Sequence, residues 1–331
     1  ILDIKTNILP NADALFLTAI DPYGHELWRW TFPVNKLNQQ TEQLSPLSSR
    51  PTYTETENEL TVKANKRAFI FSKKDGQLKG VSVDNRKISF ANGPRFIGAR
   101  RADRSLDQFY NHDDEKAKEK DRTYSEFPDA AVFTKLDVKE DGGNLVVTAN
   151  YKLGNLDKAQ WTINPSGDLA LDYTYNFSGV VDLMGIRFDY PEDQVISKRW
   201  LGAGPYRVWQ NRIHGTQYDV WENDYNDPIP GETFTYPEFK GYFGDVSWMN
   251  IQTKEGTISL TNETPDAYIG VYQPRDGRDR LLYTLPESGI SVLNVIPPVR
   301  NKVNSTDLCG PSSQPKWVNG PQTGRVIFRF M

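Results

Sequence analysis

The stretch from residue 199 to residue 221, RWLGAGPYRVWQNRIHGTQYDVW, combines aromatic rings, guanidinium groups and glycines within a short length. Its rings can stack on the apolar face of a sugar, because sugar C–H groups meet the negative face of an aromatic ring. Its arginines, with Asp219 and the following Glu222, can form hydrogen bonds to hydroxyl groups. The pattern favours a carbohydrate surface, but the same rings are also typical of a β-sandwich core, where most tryptophans are buried.

Patterns that carry bond-breaking chemistry are missing from the sequence. A retaining glycosidase needs two carboxylates about 5 Å apart, normally at the strand ends of a barrel, and no alternation of strands and helices occurs here. A nucleophile elbow, a phosphate-binding glycine loop and an HExxH motif are also missing. The acidic pairs Asp113-Asp114 and Glu222 with Asp224 are typical of solvated surface charge. We therefore predict no catalytic residue in this chain.

Composition excludes several classes of partner. The 331 residues carry a formal net charge of -4, whereas nucleic-acid binding needs clustered lysine and arginine. No apolar run approaches the roughly 20 residues of a membrane helix. The single cysteine, Cys309, and the histidines His25, His112 and His214 have no metal-ligand spacing. We therefore predict no nucleic acid, membrane, metal or cofactor. Cysteine poverty fits the cytosol or a bacterial periplasm, and a periplasmic or extracellular location is favoured.

Strand signals dominate the chain. Residues 59–90 alternate apolar and polar side chains around turns at Lys74-Asp75-Gly76 and Asp84-Asn85, which indicates a meander of antiparallel strands. The same alternation returns at 143–154 and at 159–177, where one face carries Leu169, Leu171, Tyr173, Tyr175 and Phe177. Further strands are expected at 247–262, 267–274, 288–297 and 323–331. This pattern predicts an all-β protein with a large antiparallel sandwich.

The chain is expected to divide into three parts. Residues 1–36 contain two alternating strands joined by a turn at Asp21-Pro22-Tyr23-Gly24, which predicts a hairpin of marginal stability by itself. Residues 37–57 are polar and have linker composition. Residues 58–331 form the sandwich. The first residues show neither an initiator methionine nor a signal peptide, so we expect a piece of a longer protein.

Several motifs resemble the small-chain domain of bacterial β-galactosidases of glycoside hydrolase family 2. Residues 200–205 match the family's WLGxGP, and residues 94–103 lie where the family has an R-A-P/T-D-N-D segment. Weaker similarities are found at 66–69, 76–78 and 236–242. The hairpin at 13–35 resembles the last strands of the immunoglobulin-like domain that precedes the small chain. The resemblance implies a supersandwich similar to galactose mutarotases, preceded by a remnant of an immunoglobulin-like β-sandwich.

The resemblance also implies a role and a set of contact residues. In the family this domain packs against a catalytic (β/α)8 barrel, which holds the catalytic glutamates, and lends an aromatic residue to the sugar site. The equivalent loop runs from Asp307 to Ser312; Cys309 stands where the family has tryptophan, and Trp317 is a nearby substitute. Trp200 is expected to be buried. The expected carbohydrate or interdomain contacts are Arg101, Asp103, Tyr206, Trp209, Arg212, Trp221, Asp307 and Trp317.

Three functions remain open at this stage. The first is a non-catalytic region of a glycoside hydrolase, inactive by itself, that shapes a barrel's carbohydrate site. The second is a stand-alone carbohydrate-binding module that uses rings such as Trp209 and Trp221. The third is an aldose epimerase or mutarotase, with His214 or His112 and a carboxylate such as Glu238 as the acid–base pair. The face that meets the barrel in the family is expected to be apolar and uncovered in this chain. Such a face also predicts self-association into a homo-oligomer.

Overall fold

The chain folds into two large antiparallel β-sheets that pack face to face. The computed structural model describes residues 12–34, 49–101, 124–225, 241–272, 285–298 and 314–331. The strands are β1 Ala14–Ile20, β2 Glu26–Pro33, β3 Thr52–Glu55, β4 Glu59–Ala64, β5 Arg67–Ser72, β6 Leu78–Val83, β7 Arg86–Ile88, β8 Ala91–Arg101, β9 Tyr124–Glu126, β10 Val132–Asp141, β11 Asn144–Lys152, β12 Leu156–Ile163, β13 Leu169–Val181, β14 Leu183–Asp189, β15 Val195–Gly204, β16 Gln217–Asp224, β17 Trp248–Thr253, β18 Gly256–Asn262, β19 Tyr268–Gly270, β20 Ile290–Val295 and β21 Lys316–Phe330. A 3-10 turn covers Glu192–Gln194. In these described ranges, no helix is long and apolar enough to cross a membrane.

The strands are arranged in two sandwich sheets and one hairpin. The nine-stranded sheet has the order β10-β11-β12-β13-β21-β18-β17-β15-β16. The ten-stranded sheet follows β19-β20-β14-β8-β6-β5-β4-β3, with β7 paired to β6 and β9 paired to β8. Every ladder between these strands is antiparallel. The predicted all-β fold with a large antiparallel sandwich is therefore confirmed.

The core lies between the two sheets and is rich in aromatic rings. Phe90 stacks on Phe188 at a centroid distance of 4.7 Å. It also meets Phe328 and Phe330, in the opposite sheet, at 5.0 and 5.2 Å. The face of β13 that was predicted to be apolar is buried, and its members are Leu169, Leu171, Tyr173, Tyr175 and Phe177. Because each such ring removes about 150–250 Å² from water, this layer is a major source of stability.

Strands with clear alternation are found where the sequence predicts them. The meander over 59–90 is confirmed as β4 to β7, and 247–262 as β17 and β18. The sequence does not predict β14, because its side chains are buried on both faces and show no alternation. β3 lies inside the expected linker, where it pairs with β4 as an edge strand whose four residues are all exposed and which has no apolar face.

The predicted N-terminal hairpin is present as β1 and β2. One oxygen of Asp21 accepts hydrogen bonds from the backbone N–H groups of Tyr23 and His25, which closes the turn. The hairpin contacts the nine-stranded sheet at two points. Trp248 Nε1 donates to Asp13 Oδ2 at 3.2 Å. Arg29 Nη1 lies 3.6 Å from Asp219 Oδ2.

A sheltered ion pair ties the last strand to the turn between β12 and β13. Arg329 Nε and Nη2 donate to the two oxygens of Asp168 at 2.6 and 2.8 Å, and both side chains are mostly buried. Arg67, in the opposite sheet, donates to the carbonyls of Ser166 and Phe330. The three segments are therefore joined by charge-assisted hydrogen bonds, which are stronger than neutral ones.

We expect Asp168→Asn to lower the free energy of unfolding at pH 7 by about 3 kcal/mol, because it leaves a sheltered guanidinium without its counter-charge. Burial raises the pKa of Asp168, but the hydrogen bonds from Arg329 and Asn164 and the charges of Arg329 and Arg67 together outweigh burial and hold the pKa below its usual value. The contribution is therefore full at neutral pH and is lost as the pH falls below about 4. Urea denaturation at pH 7, 5 and 3 measures this loss.

The matched control is Asp137→Asn, which removes a surface ion pair with Lys135 whose two side chains are more than half exposed. We expect the control to change the free energy of unfolding by less than about 1 kcal/mol at any of these pH values. Equal losses in the two variants, or a loss for Asp168→Asn that does not shrink in acid, would contradict the structural assignment.

Candidate functional site

The aromatic stretch over residues 199–221 forms part of β15, the connection that follows it and part of β16. Trp200 is fully buried, donates from Nε1 to the carbonyl of Ala203 at 3.0 Å, and meets Phe243 edge-on at 4.9 Å. Its cross-strand partner Trp221 is partly buried and donates to the carbonyl of Gln217 at 3.1 Å. Both rings therefore pack against the fold, and neither is a free platform.

The glycines of the WLGAGP segment make room for neighbouring groups. A Cβ atom on Gly204 would lie 2.4 Å from Cδ1 of Trp221, which is too close for a real contact. A Cβ atom on Gly202 would lie 3.0 Å from the carbonyl oxygen of Gly244. The small residues thus allow the indole of Trp221 and the chain near residue 244 to approach β15.

The connection after β15 is held against the outer face of the ten-stranded sheet. Trp209 is fully buried and meets Tyr242 edge-on at 5.5 Å, while Val208 bridges to Tyr242 through backbone hydrogen bonds. This result corrects the expectation for Trp209: its ring anchors the connection from inside and is not available for stacking on a sugar. The turn from Trp209 to Arg212 then places the Arg212 side chain on the surface.

Several distant parts of the chain meet near this connection. Gln210 donates from its backbone to the carbonyl of Pro297 at 3.0 Å and from Nε2 to the carbonyl of Gln314 at 2.6 Å. Asp182 donates from its backbone to the carbonyl of Ala99, which joins the start of β14 to the end of β8. We call this region the sandwich end, defined by residues 99–101, 180–183, 205–212, 297 and 314–317.

Of the remaining predicted contact residues, some have exposed side chains and others lie partly or wholly outside the described residues. Tyr206 is 45% exposed, and Trp317, which pairs with Val180, is 71% exposed. Arg101 ends β8 opposite Tyr124, and only its backbone is described. Asp103 and Asp307, like Cys309 and its loop, lie outside the described residues. Tyr206, Arg212 and Trp317 are therefore the predicted contacts whose described side chains offer substantial surface at the sandwich end.

Gln210 is a positioning residue that the sequence analysis missed. Its two hydrogen bonds join three segments, but a glutamine in an aromatic loop carries no signal of such a role. The acid–base pair considered for a mutarotase stays a prediction, because two of its three candidate residues lie outside the described part of the chain. His214 is exposed in the turn before β16, and His112 and Glu238 lie outside the described residues. Within the described ranges, no three His, Cys, Asp or Glu side chains are grouped to hold a metal ion.

The sequence pattern of the beta galactosidase small chain family matches residues 63–297, which is well over half of the chain. The chain belongs to this family. The match runs from β4 to the segment after β20, so it includes most strands of both sandwich sheets. None of the curated proteins compared with the small chain matches it.

The solved structures that match the chain include sugar epimerases and their homologues. A galactose 1-epimerase from Lactobacillus acidophilus is 10% identical, with a TM-score of 0.46 over 86% of the small chain and 99% of the epimerase. An aldose epimerase homologue from C. elegans is 7% identical, with a TM-score of 0.40 over 85% and 99% of the two chains. A galactose mutarotase-like protein from Lactobacillus casei is 12% identical, with a TM-score of 0.36 over 85% and 100%.

We expect Gly204→Ala to destabilise the small chain by about 1–3 kcal/mol, because the added methyl group overpacks against Trp221. Urea denaturation followed by circular dichroism measures the change. The matched control is Gly80→Ala in β6, where the added Cβ atom would lie 3.9 Å from Ile70 and meet ordinary contact distances. Equal stability of the two variants would show that the indole of Trp221 does not need the space beside Gly204.

Proposed function

We propose that this small chain is the non-catalytic part of a β-galactosidase-like glycoside hydrolase of family 2. In this proposal it packs against a catalytic (β/α)8 barrel and helps to shape the carbohydrate site of that barrel. The observation that carries the proposal is the family match over residues 63–297. The bond-cleaving glutamates would belong to the barrel, and the small chain would contribute surface and rigidity.

Three carboxylates of the sandwich are engaged by partners within the chain. Asp168 is held by Arg329, and Asp172 accepts a hydrogen bond from Arg325 at 2.6 Å. Glu255 accepts hydrogen bonds from the backbone N–H and the hydroxyl of Ser89 at 2.9 and 2.6 Å. These three carboxylates serve contacts within the fold, which fits a non-catalytic role.

The sandwich end supports the proposed packing on a barrel. Its exposed groups, Tyr206, Arg212 and Trp317, are of the types enriched in the centres of protein interfaces. The connection that carries Tyr206 and Arg212 is anchored from below by the buried ring of Trp209. A surface held in place before binding loses little conformational entropy when its partner arrives.

We also infer that the hairpin β1–β2 offers an apolar face to another β-sheet, as in an immunoglobulin-like sandwich. Register places Leu15, Leu17, Trp28, Trp30 and Phe32 on one face, opposite the face that carries Arg29. Trp28, Trp30 and Phe32 are each 45–49% exposed. Exposed apolar patches of this kind normally mark a partner surface.

We expect the purified chain to release no nitrophenol from p-nitrophenyl β-galactoside. A family 2 catalytic barrel that lacks its own small chain should bind the chain and gain activity on the same substrate. The double variant Tyr206→Ala with Trp317→Ala should weaken this association about tenfold or more, because buried aromatic anchors dominate interface energies. Titration of the barrel with the chain, with activity as readout, gives both the affinity and the gain.

The control for this titration is Tyr53→Ala, on edge strand β3, where the ring is 45% exposed and lies outside the sandwich end. It should behave as the unmodified chain does. Turnover by the isolated chain that a single carboxylate substitution abolishes would contradict the non-catalytic role. A barrel that neither binds the chain nor gains activity would contradict the proposed packing.

A further inference from the structure

A second surface with binding chemistry lies where the hairpin meets the outer face of the nine-stranded sheet. The contact between Asp13 and Trp248 and the ion pair between Arg29 and Asp219 hold the hairpin against the sheet. Beside the first contact they leave a cleft of about 290 Å³, which we call the hairpin cleft. Its lining residues include Asp13, Arg199, Trp248, Asn250, Ser259 and Arg329.

Strand register builds the floor of the hairpin cleft. Arg199 pairs with Asn250, Asn250 with Ser259, and Ser259 lies opposite Arg329, so one polar row crosses four adjacent strands. Residues directly opposite each other in neighbouring strands point to the same face of a sheet. Trp248, two positions before Asn250, lies on that face in the next row. The floor thus combines an aromatic ring with amide, hydroxyl and guanidinium groups.

The two arginines that line the hairpin cleft each lie beside a carboxylate. Arg329 is neutralised by Asp168. The Arg199 guanidinium lies 5.7 Å from the ring centre of Trp248, and its Nε is 3.8 Å from Glu222 Oε2. Burial raises the pKa of Asp13, and the hydrogen bond from Trp248 offsets part of that rise. The two guanidinium groups thus already lie beside carboxylates, and Asp13 adds a further carboxylate, so the hairpin cleft disfavours an anionic ligand.

We propose that the hairpin cleft binds one sugar ring of a neutral saccharide. The mixture of donors, acceptors and one indole suits a pyranose, whose hydroxyl groups need hydrogen bonds and whose C–H face needs an apolar contact. The volume is near the lower limit of about 300 Å³ for small-molecule pockets, which fits a single ring.

This site is separate from the sandwich end. Trp317 and Arg329 lie near opposite ends of β21, and extended chain of that length spans roughly 40 Å. The proposal therefore goes beyond the role of the small chain beside a barrel, and it predicts binding by the chain alone. A barrel that fails to bind the chain would not count against saccharide binding in the hairpin cleft. Absence of saccharide binding would likewise not count against packing on a barrel.

The test is isothermal titration of the full chain with galactose, lactose, cellobiose and glucuronate, supported by saturation-transfer NMR. We expect at least one of the neutral sugars to bind, and glucuronate to bind no better. Asn250→Ala should weaken that binding about fivefold through the loss of a hydrogen bond. Trp248→Ala should weaken it about tenfold, whereas Trp248→Phe, which keeps an aromatic wall, should retain it within about threefold.

The control variant is Tyr53→Ala, which removes a half-exposed ring from the other sheet and should bind as the unmodified chain does. Thermal unfolding by circular dichroism verifies that each variant is folded, and Asn250→Ala tests the cleft without touching the hairpin contact. Absence of binding by all three neutral sugars would overturn the proposal. Preferential binding of glucuronate that Arg199→Gln abolishes, or neutral-sugar binding that Asn250→Ala leaves unchanged, would overturn it as well.

Discussion

The nine-stranded sheet depends on one strand, β21, which lies between its two halves. β21 pairs with β13 from Lys316 to Phe328 and with β18 from Val326 to Phe330. Strands β10 to β13 and strands β15 to β18 belong to one sheet only because this strand joins them. Its inward rings, Phe328 and Phe330, also meet Phe90 in the core. Both the core and the outer surface of the sandwich are therefore set by the pairing of the last strand.

The two surfaces of functional interest are positioned by this arrangement in different ways. At the sandwich end, Trp317 stands at the beginning of β21, close in sequence to the Gln314 carbonyl that Gln210 binds. In the hairpin cleft, Arg329 stands near the end of the same strand and is fixed by Asp168. Groups on rigid strands hold their geometry better than groups on loops. Strand pairing therefore fixes both residues, and the ion pair between Asp168 and Arg329 contributes to the stability of the fold.

Much of the fold could be predicted from sequence because many strands expose one face. Alternation in β4 to β7 and in β13 shows where these strands run, and turns rich in Gly, Asp and Asn separate them. β14 could not be found in this way, since burial on both faces removes the alternation. The order of strands was also inaccessible, because β21 pairs with β13 across more than a hundred residues of intervening chain.

The candidate site was less predictable than the fold. Composition marked Trp200 and Trp209 as rings able to stack on a sugar, yet both are fully buried, as the resemblance implied for Trp200. Trp317, which only the resemblance offered, is 71% exposed. The sequence by itself determined the all-β character, the hairpin, the principal turns and the resemblance carried by WLGAGP, since these depend on local periodicity and short motifs. Only the tertiary structure decided which rings face solvent and which distant groups meet, such as Asp13 and Trp248. The physical reason is that exposure and long-range contact depend on strand register and on sheet packing, which no local pattern encodes.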